Sequence, residues 1–248
     1  MRLHIAVHLN SVFQPTKEES GGHWQFKTQI KNKWEMRYGD LRFWVMTTPG
    51  RHLGVFPECA ATWDWSAELI NKEKQPAKVL NLFGYTGMAS LAAASVGAQV
   101  THVDASKKSV GWARENQTLS GLTEKPIRWI VDDALKFVQR EGRRGNKYDG
   151  ILLDPPKFGR GPKGEVWEIY KSLPNLLEAC REILSDRPLF VVATVYAVQA
   201  SAIHVGQALQ EMMSKFGGTV ENGELVTREQ SAGRLLSQAV YARWLLGK

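Results

Sequence analysis

The sequence predicts an α/β fold, a doubly wound, mainly parallel sheet with a small N-terminal antiparallel β appendage. Three observations predict it. From Lys78 onward, short apolar runs alternate with helix-length segments. Before residue 75 the pattern changes to a tryptophan-rich stretch with partial alternation of apolar and polar residues. The length, 248 residues, suits one large α/β domain, or one domain with an appendage, and buries a full core without metal or disulfide support. Three regions follow: a β appendage over 1–50, a connecting helical region over 51–75 and the main domain over 76–248.

In chain order, HWQFKTQI, WEMRY and LRFWVMTT carry Trp24, Trp34 and Trp44 and alternate as half-buried strands do. FPECAATWDWSAELINK reads as a helix with Pro57 near its start. VLNLF (79–83) is apolar enough for a buried parallel strand. MASLAAASVG follows as a helix of small residues ending at Gly97. QVTHVD (99–104) is the next strand, and Ser106 and Gly121 bracket the helix after it. IRWIV (127–131), DALKFVQREG, YDGILLD (148–154), LPNLLEACREIL, LFVVATV (189–195) and SAIHVGQALQEMMSKFG continue the alternation. GELVTRE and SQAVYARWLL read as two closing strands.

A net charge of +7 favours a polyanionic partner. Cys59 and Cys180 are the only cysteines, which points to a reducing compartment, the cytoplasm, and away from a disulfide framework. No acidic residue precedes Glu18, which keeps an organellar matrix as the alternative. No run approaches a membrane span. MRLHIAVHLNSVF is interrupted by His4 and His8 and has no cleavage pattern after it, so it is not read as a secretory signal. The same histidines are the only pair at ligand-like spacing. They lack a nearby carboxylate, and no metal is expected.

Doubly wound sheets bind ligands outside the carboxyl ends of their strands. The first such end is NLFGYTG. Gly84 and Gly87 would let the backbone approach a ligand, Asn81 and Thr86 supply polar groups, and the following helix starts with free N–H groups. An ordinary tight turn accounts for the stretch equally well. G-x-G-x-x-G is absent, which disfavours a dinucleotide. The second end is Asp104, placed to accept from both hydroxyls of a ribose if Ser106 caps the next helix. The third is Asp132-Asp133. One carboxylate suits an adenine amino group and the other a helix cap, and Asp133 is preferred as the ligand contact. The fourth is Asp154-Pro155-Pro156-Lys157-Phe158. Two prolines hold the chain extended and leave carbonyls to accept hydrogen bonds, while Phe158 either stacks on a flat ring or packs. The ordered set resembles that expected for a class I S-adenosylmethionine-dependent methyltransferase.

VLNLFGYTGMASLAAASVGAQVTHVDASKKSVGWARENQTLSGL, DDALKFV and YDGILLDPPKF resemble the bacterial large-subunit rRNA methyltransferases acting on cytosine C5 and guanine N7. GVFPE (54–58) resembles the short motif those enzymes carry before their core. The resemblance implies a Rossmann-like seven-stranded sheet, S-adenosyl-L-methionine as methyl donor and an RNA base as acceptor. It implies that Asn81, Phe83, Gly84, Thr86 and Gly87 cradle the methionine end, Asp104 holds the ribose and Asp133 the adenine. Asp154, Pro155, Pro156 and Lys157 would face the methyl group and the target base.

Two features depart from that family. Residues 1–50 do not resemble its RNA-binding domain, and VVATVYAVQ has no cysteine where the cytosine-C5 enzymes carry their nucleophile. Cytosine C5 is a poor nucleophile without a thiolate added at C6. Cys180 reads as a packed helix residue, and Cys59 serves only if the appendage folds across the site. A ring or exocyclic nitrogen needs only positioning. The leading expectation is therefore RNA base methylation at nitrogen, with ribosomal RNA as the expected target and Arg160 and Lys163 of a mobile loop 159–165 meeting phosphates or simply solvated. The tryptophans either stack on unpaired bases or, for the most part, fill the appendage core. Rival readings are a catalytically silent ribosome-assembly factor and a methyltransferase of a small molecule or protein.

Overall fold

In the computed structural model, residues 11–16, 22–29, 31–48 and 52–247 are described. The His4–His8 pair and most of the apolar N-terminal stretch lie outside them. Two antiparallel hairpins come first, β1 (Ser11–Pro15) with β2 (Gly22–Phe26) and β3 (Trp34–Tyr38) with β4 (Leu41–Val45). A 3-10 turn over Pro57–Cys59 leads into α1 (Ala60–Asn71). Then come β5 (Lys78–Leu82), α2 (Met88–Ser95), β6 (Gln99–Asp104), α3 (Lys107–Leu119), β7 (Ile127–Val131), α4 (Ala134–Arg143) and β8 (Gly150–Leu153). β9 (Phe158–Arg160), β10 (Val166–Glu168), α5 (Ile169–Glu182), β11 (Phe190–Val195), α6 (Ala202–Met213), β12 (Thr219–Arg228) and β13 (Leu235–Leu245) complete the chain.

Seven strands form one sheet in the order β12-β13-β11-β8-β5-β6-β7. Only β13 runs against its neighbours, pairing antiparallel with both β11 and β12. The chain leaves β5 toward β6 on one side and returns to β8 on the other, which makes the β5–β8 boundary the topological switch point where such sheets bind ligands.

The core follows from the two-residue period of the central strands. Leu80 and Leu82 of β5, Ile151 and Leu153 of β8, and Val191 and Ala193 of β11 enter one apolar cluster with α4, α5 and α6. Val79, Leu152, Phe190 and Val192 enter a second cluster with Ile70 of α1 and Ala93 and Ala94 of α2. Strands buried on both faces need continuous apolar sequence, as GILL and FVVATV supply. Truncating a fully buried Leu80 to Ala costs about 2–5 kcal/mol.

β3 and β4 pack into the body of the molecule. Leu41, Phe43 and Val45 bury against Trp63, Met88 and Leu91. The β4 backbone is held by α3: Asn116 Oδ1 accepts from Trp44 N at 2.8 Å, and Trp112 Nε1 donates to Trp44 O at 3.0 Å. These bonds blunt a strand edge that would otherwise be free to pair with another chain. Trp34 packs on the same cluster, and Trp24 Nε1 donates to Thr48 O at 2.9 Å.

Two stretches differ in detail from the sequence reading. The stretch 159–165 starts in β9 and continues as the turn of the β9–β10 hairpin, closed by Gly161 N donating to Glu165 O at 2.8 Å. α5 begins at Ile169 and contains Pro174, where the sequence suggested a start at Leu173. Proline removes one helical N–H, yet the helix continues through it because Ile169, Leu176, Leu177 and Cys180 are buried along one face. Among the described residues no helix is long and apolar enough to cross a membrane.

Candidate active site

The carboxyl ends of β5, β6, β7 and β8 surround a cavity of about 370 Å³. Phe83, Asp104, Asp133, Asp154, Pro156 and Arg160 all line it. A smaller pocket beside it is lined by Asn81, Phe83, Gly84, Thr86 and Asp154. Phe83 and Arg160, 77 positions apart in sequence, therefore meet at one edge of the sheet. Gly87, Pro155, Lys157, Phe158 and Lys163 lie outside both linings.

The turn after β5 is wound tightly. Phe83, Tyr85 and Gly87 have φ of 58°, 49° and 89°. A left-handed φ costs a non-glycine residue about 1–2 kcal/mol, so Phe83 and Tyr85 hold strain that the surrounding contacts maintain. Gly84 N donates to Val103 O at 3.1 Å and ties the turn to β6. The glycines are needed for a reason other than close approach of a ligand. A Cβ on Gly84 would come within 2.4 Å of His102 Cε1, and one on Gly87 within 2.8 Å of Ala113 Cβ. Both sites are filled by protein.

The polar residues of this turn likewise anchor it. Asn81 Nδ2 donates to Ser90 Oγ at 2.9 Å, and Ser90 Oγ lies 3.0 Å from His102 Nδ1. Burial pushes His102 down to about 3, so its ring is neutral. Thr86 Oγ1 donates to Gly54 O at 2.6 Å, and Thr86 O accepts from Asn116 Nδ2 at 3.0 Å. The segment before α1 is thereby fastened over the turn.

Asp104 accepts two backbone bonds, from Tyr85 N at 2.9 Å and Ser106 N at 2.8 Å. Ser106 caps α3 through Ser109 N at 3.1 Å, which frees Asp104 from that task. Burial raises the Asp104 carboxyl above its usual range, against the two N–H donors that lower it. Asp133 caps α4, with Oδ1 accepting from Lys136 N at 2.9 Å. The cap thus falls on the carboxylate preferred as a ligand contact. Asp132 is ion-paired with Arg140 and accepts from Asp133 N at 2.9 Å. Asp133 still lines the cavity and has a second oxygen to offer.

Asp154 is the most unusual group in the site. Its Oδ1 is shut off from solvent and has no hydrogen-bond partner. Burial, and then the Glu58 carboxylate, push it up to about 7. Pro156 does not leave its carbonyl free, as the sequence suggested for this stretch, because Trp167 Nε1 donates to it at 2.6 Å. The hairpin β9–β10 exists partly to deliver that indole. Phe158 is 63% exposed, with Lys157 Nζ 5.6 Å from its ring centre.

Sequence reasoning missed the aromatic wall of His52, Phe56, Tyr85, Trp167 and Tyr196. Phe56 sits 5.6 Å from Tyr85 and 6.2 Å from Tyr196, centre to centre. Only GVFPE gave any sign of it. Acidic acceptors beside aromatic rings, in a cavity of ligand size, suit a molecule with hydroxyl and amine donors, a flat ring and a positive charge. S-adenosylmethionine has all of these.

Comparison with known proteins agrees. The family model described as "Conserved hypothetical protein 95" matches residues 62–186. A SAM-dependent methyltransferase from Agrobacterium tumefaciens is 48% identical, superposes with a TM-score of 0.92, and matches over 96% of this chain and 77% of its own. The ribosomal RNA large subunit methyltransferase K/L of Shewanella sp. (strain W3-18-1) is 31% identical over 186 residues, 73% of this chain and 25% of that protein. The chain thus spans about a quarter of the length of the curated relatives it matches. A magnesium protoporphyrin IX methyltransferase from Synechocystis, 16% identical with a TM-score of 0.52, shares the fold.

The chain belongs to the class I S-adenosylmethionine-dependent methyltransferases, within the family described as conserved hypothetical protein 95.

Proposed function

We propose that the chain methylates a nitrogen of an RNA base, in ribosomal RNA. The observation that carries this reading is Asp154 Oδ1, a buried acceptor without a partner beside the site. An orphaned acceptor costs about 1–3 kcal/mol and persists where a ligand supplies the missing donor. An amine on the target base is such a donor. S-adenosylmethionine, when bound, supplies a methyl group on a positively charged sulfur. Asp104 accepts from the ribose hydroxyls, Asp133 from the adenine amine, and Phe83 with the turn to Gly87 encloses the methionine end, with Asn81, Gly84 and Thr86 beneath it. Asp154, which lines the cavity, orients the amine, so that its lone pair lies in line with the methyl carbon.

Thiol chemistry is disfavoured by the same surroundings. Burial, then Asp154 and Glu58, raise the Cys59 thiol well above its usual range, which keeps it protonated. Cys180 is fully buried in α5, within the apolar cluster. The end of β11 offers Val195 and Tyr196. Lys157, Arg160 and Lys163 on and beside the β9–β10 hairpin supply positive charge for phosphates, with Phe158 exposed for stacking.

The relatives named as ribosomal RNA methyltransferases support ribosomal RNA as the substrate class. The test is to incubate the enzyme with S-adenosylmethionine and unmodified ribosomal RNA, digest the RNA and weigh the nucleosides. An N-methylated nucleoside is expected. 5-Methylcytosine, or transfer only to protein or small molecules, refutes the reading.

A further inference from the structure

A second cavity, of about 590 Å³, opens on the other side of Asp154. It is built where the 52–59 segment meets β3, the end of β11 and β13, and it shares His52, Phe56, Asp154 and Tyr196 with the first cavity. Asp154 is therefore a partition between two chambers. The second chamber contains another carboxyl, Glu58, which has no part in the donor site. No lysine or arginine is among its described lining residues. Gln238 of β13 adds a carboxamide. Phe56 and Tyr196 stand 6.2 Å apart with their planes 30° from parallel, and His52 lies 4.8 Å from Phe56.

We propose that this chamber receives the target base, and that Glu58 is a second substrate-contacting carboxyl which, with Asp154, grips the hydrogen-bond-donating edge of an amine-bearing nucleobase. This rests on the reading of the enzyme as an N-methyltransferase. The chemistry of the walls selects the ligand. A chamber with two carboxyls and no lysine or arginine among its described lining residues repels phosphate, so the sugar–phosphate chain stays outside and only the ring enters. Aromatic faces suit a flat heterocycle. An edge with two N–H donors satisfies both carboxyls, including the buried Oδ1 of Asp154, and leaves a base with only acceptors on that edge unpaired. As the amine nitrogen bonds to the methyl carbon, the carbon–sulfur bond breaks and its electron pair stays on sulfur. The proton released from nitrogen passes to Asp154, with the half-buried Glu58 in the same chamber.

The pair also makes its own pH signature. Burial raises Glu58 above its usual range, and Glu58 in turn raises Asp154. The other titratable groups that line the two chambers with Asp154 are Cys59, Tyr196 and His52 in the second, and Tyr85, Asp104, Asp132, Asp133 and Arg160 in the first. The Glu58 carboxylate adds to burial in raising Asp154, so removing it lowers the pH at which Asp154 ionises.

The experiment uses the full chain, Glu58→Gln and Glu58→Asp, with labelled S-adenosylmethionine and unmodified ribosomal RNA. Calorimetric affinity for S-adenosylmethionine is expected within about twofold of wild type for both. kcat/KM for RNA falls at least about tenfold in E58Q, and the acid limb of its pH–rate profile moves below that of wild type. E58D keeps the limb near its wild-type position and loses less activity. If E58Q melts early, Glu58→Ala, which also lacks the carboxyl, carries the test with the same expected result. Wild-type kcat/KM and an unmoved limb in a folded variant lacking the carboxyl overturn the role of Glu58 while the N-methyl product stands. 5-Methylcytosine from the wild-type enzyme overturns the parent reading, and this proposal with it.

Discussion

The backbone N–H of Tyr85 donates to Oδ2 of Asp104 at 2.9 Å, across the gap between the end of β5 and the end of β6. Tyr85 adopts a left-handed φ of 49°. That bond holds the strained turn and fixes the carboxylate together. Asp104→Asn, which removes the charge and turns one acceptor into a donor, should weaken S-adenosylmethionine binding by about tenfold, and Asp104→Ala by about a hundredfold, on the scale of charged hydrogen bonds. Titration calorimetry at constant salt measures both, with melting curves to confirm that the variants fold.

Asp154 makes function and stability oppose each other. Its carboxyl rises from the usual 3.8 to about 7 in the folded chain. The folded state therefore holds its proton more tightly than the unfolded one. The stability linked to it is complete below about pH 4, falls as pH rises toward 7 and is level above that. Three units correspond to at most about 4 kcal/mol. Asp154→Asn should flatten the melting temperature between pH 4 and 7, and melt above wild type at pH 8. Methyl transfer should fall at least about a hundredfold. A variant melting below wild type at pH 8 contradicts the buried-charge explanation.

Gly87 and Gly97 separate strain from crowding. Both have left-handed φ, 89° and 99°, but only at Gly87 would a new Cβ meet neighbours within 4 Å, Ala113 among them at 2.8 Å. Gly97→Ala should cost about 1 kcal/mol from backbone alone. Gly87→Ala should cost about 2–4 kcal/mol, since overpacking adds to it. Urea unfolding of the two variants gives the difference directly.

Glu141 tests whether the far edge of the sheet matters only for stability. Its side chain is buried and accepts from Tyr148 Oη at 2.7 Å and Asn146 Nδ2 at 2.9 Å. Removing it strands the buried Tyr148 hydroxyl, and Glu141→Ala should lose about 2–4 kcal/mol. Affinity for S-adenosylmethionine, measured well below the melting temperature, should stay at the wild-type level.

Much of the fold was legible because it rests on local pattern. IRWIV and FVVATV are strands because apolar runs of that length have few other uses, and β7 falls on the residues expected. The acidic strand ends were legible through their order, and Asp104, Asp133 and Asp154 do share one cavity. What was not legible depends on contacts distant in sequence. Gly84 is required by His102, eighteen residues later, and the Pro156 carbonyl is taken by Trp167. Phe83 and Tyr85 take a conformation that their residue types disfavour. Pro174 misled because the burial of α5 overrode its local preference. Glu58 lay in a quoted motif, yet its chemistry emerged only once the 52–59 segment was seen to close over Asp154.

The most direct measurement is the identity of the nucleoside produced when the purified enzyme, S-adenosylmethionine and unmodified ribosomal RNA are combined. A carboxyl partition with a protonated thiol beside it predicts a methyl group on nitrogen, lost in Asp154→Asn. A methyl group on cytosine C5, or an unchanged nucleoside profile despite bound S-adenosylmethionine, would contradict it.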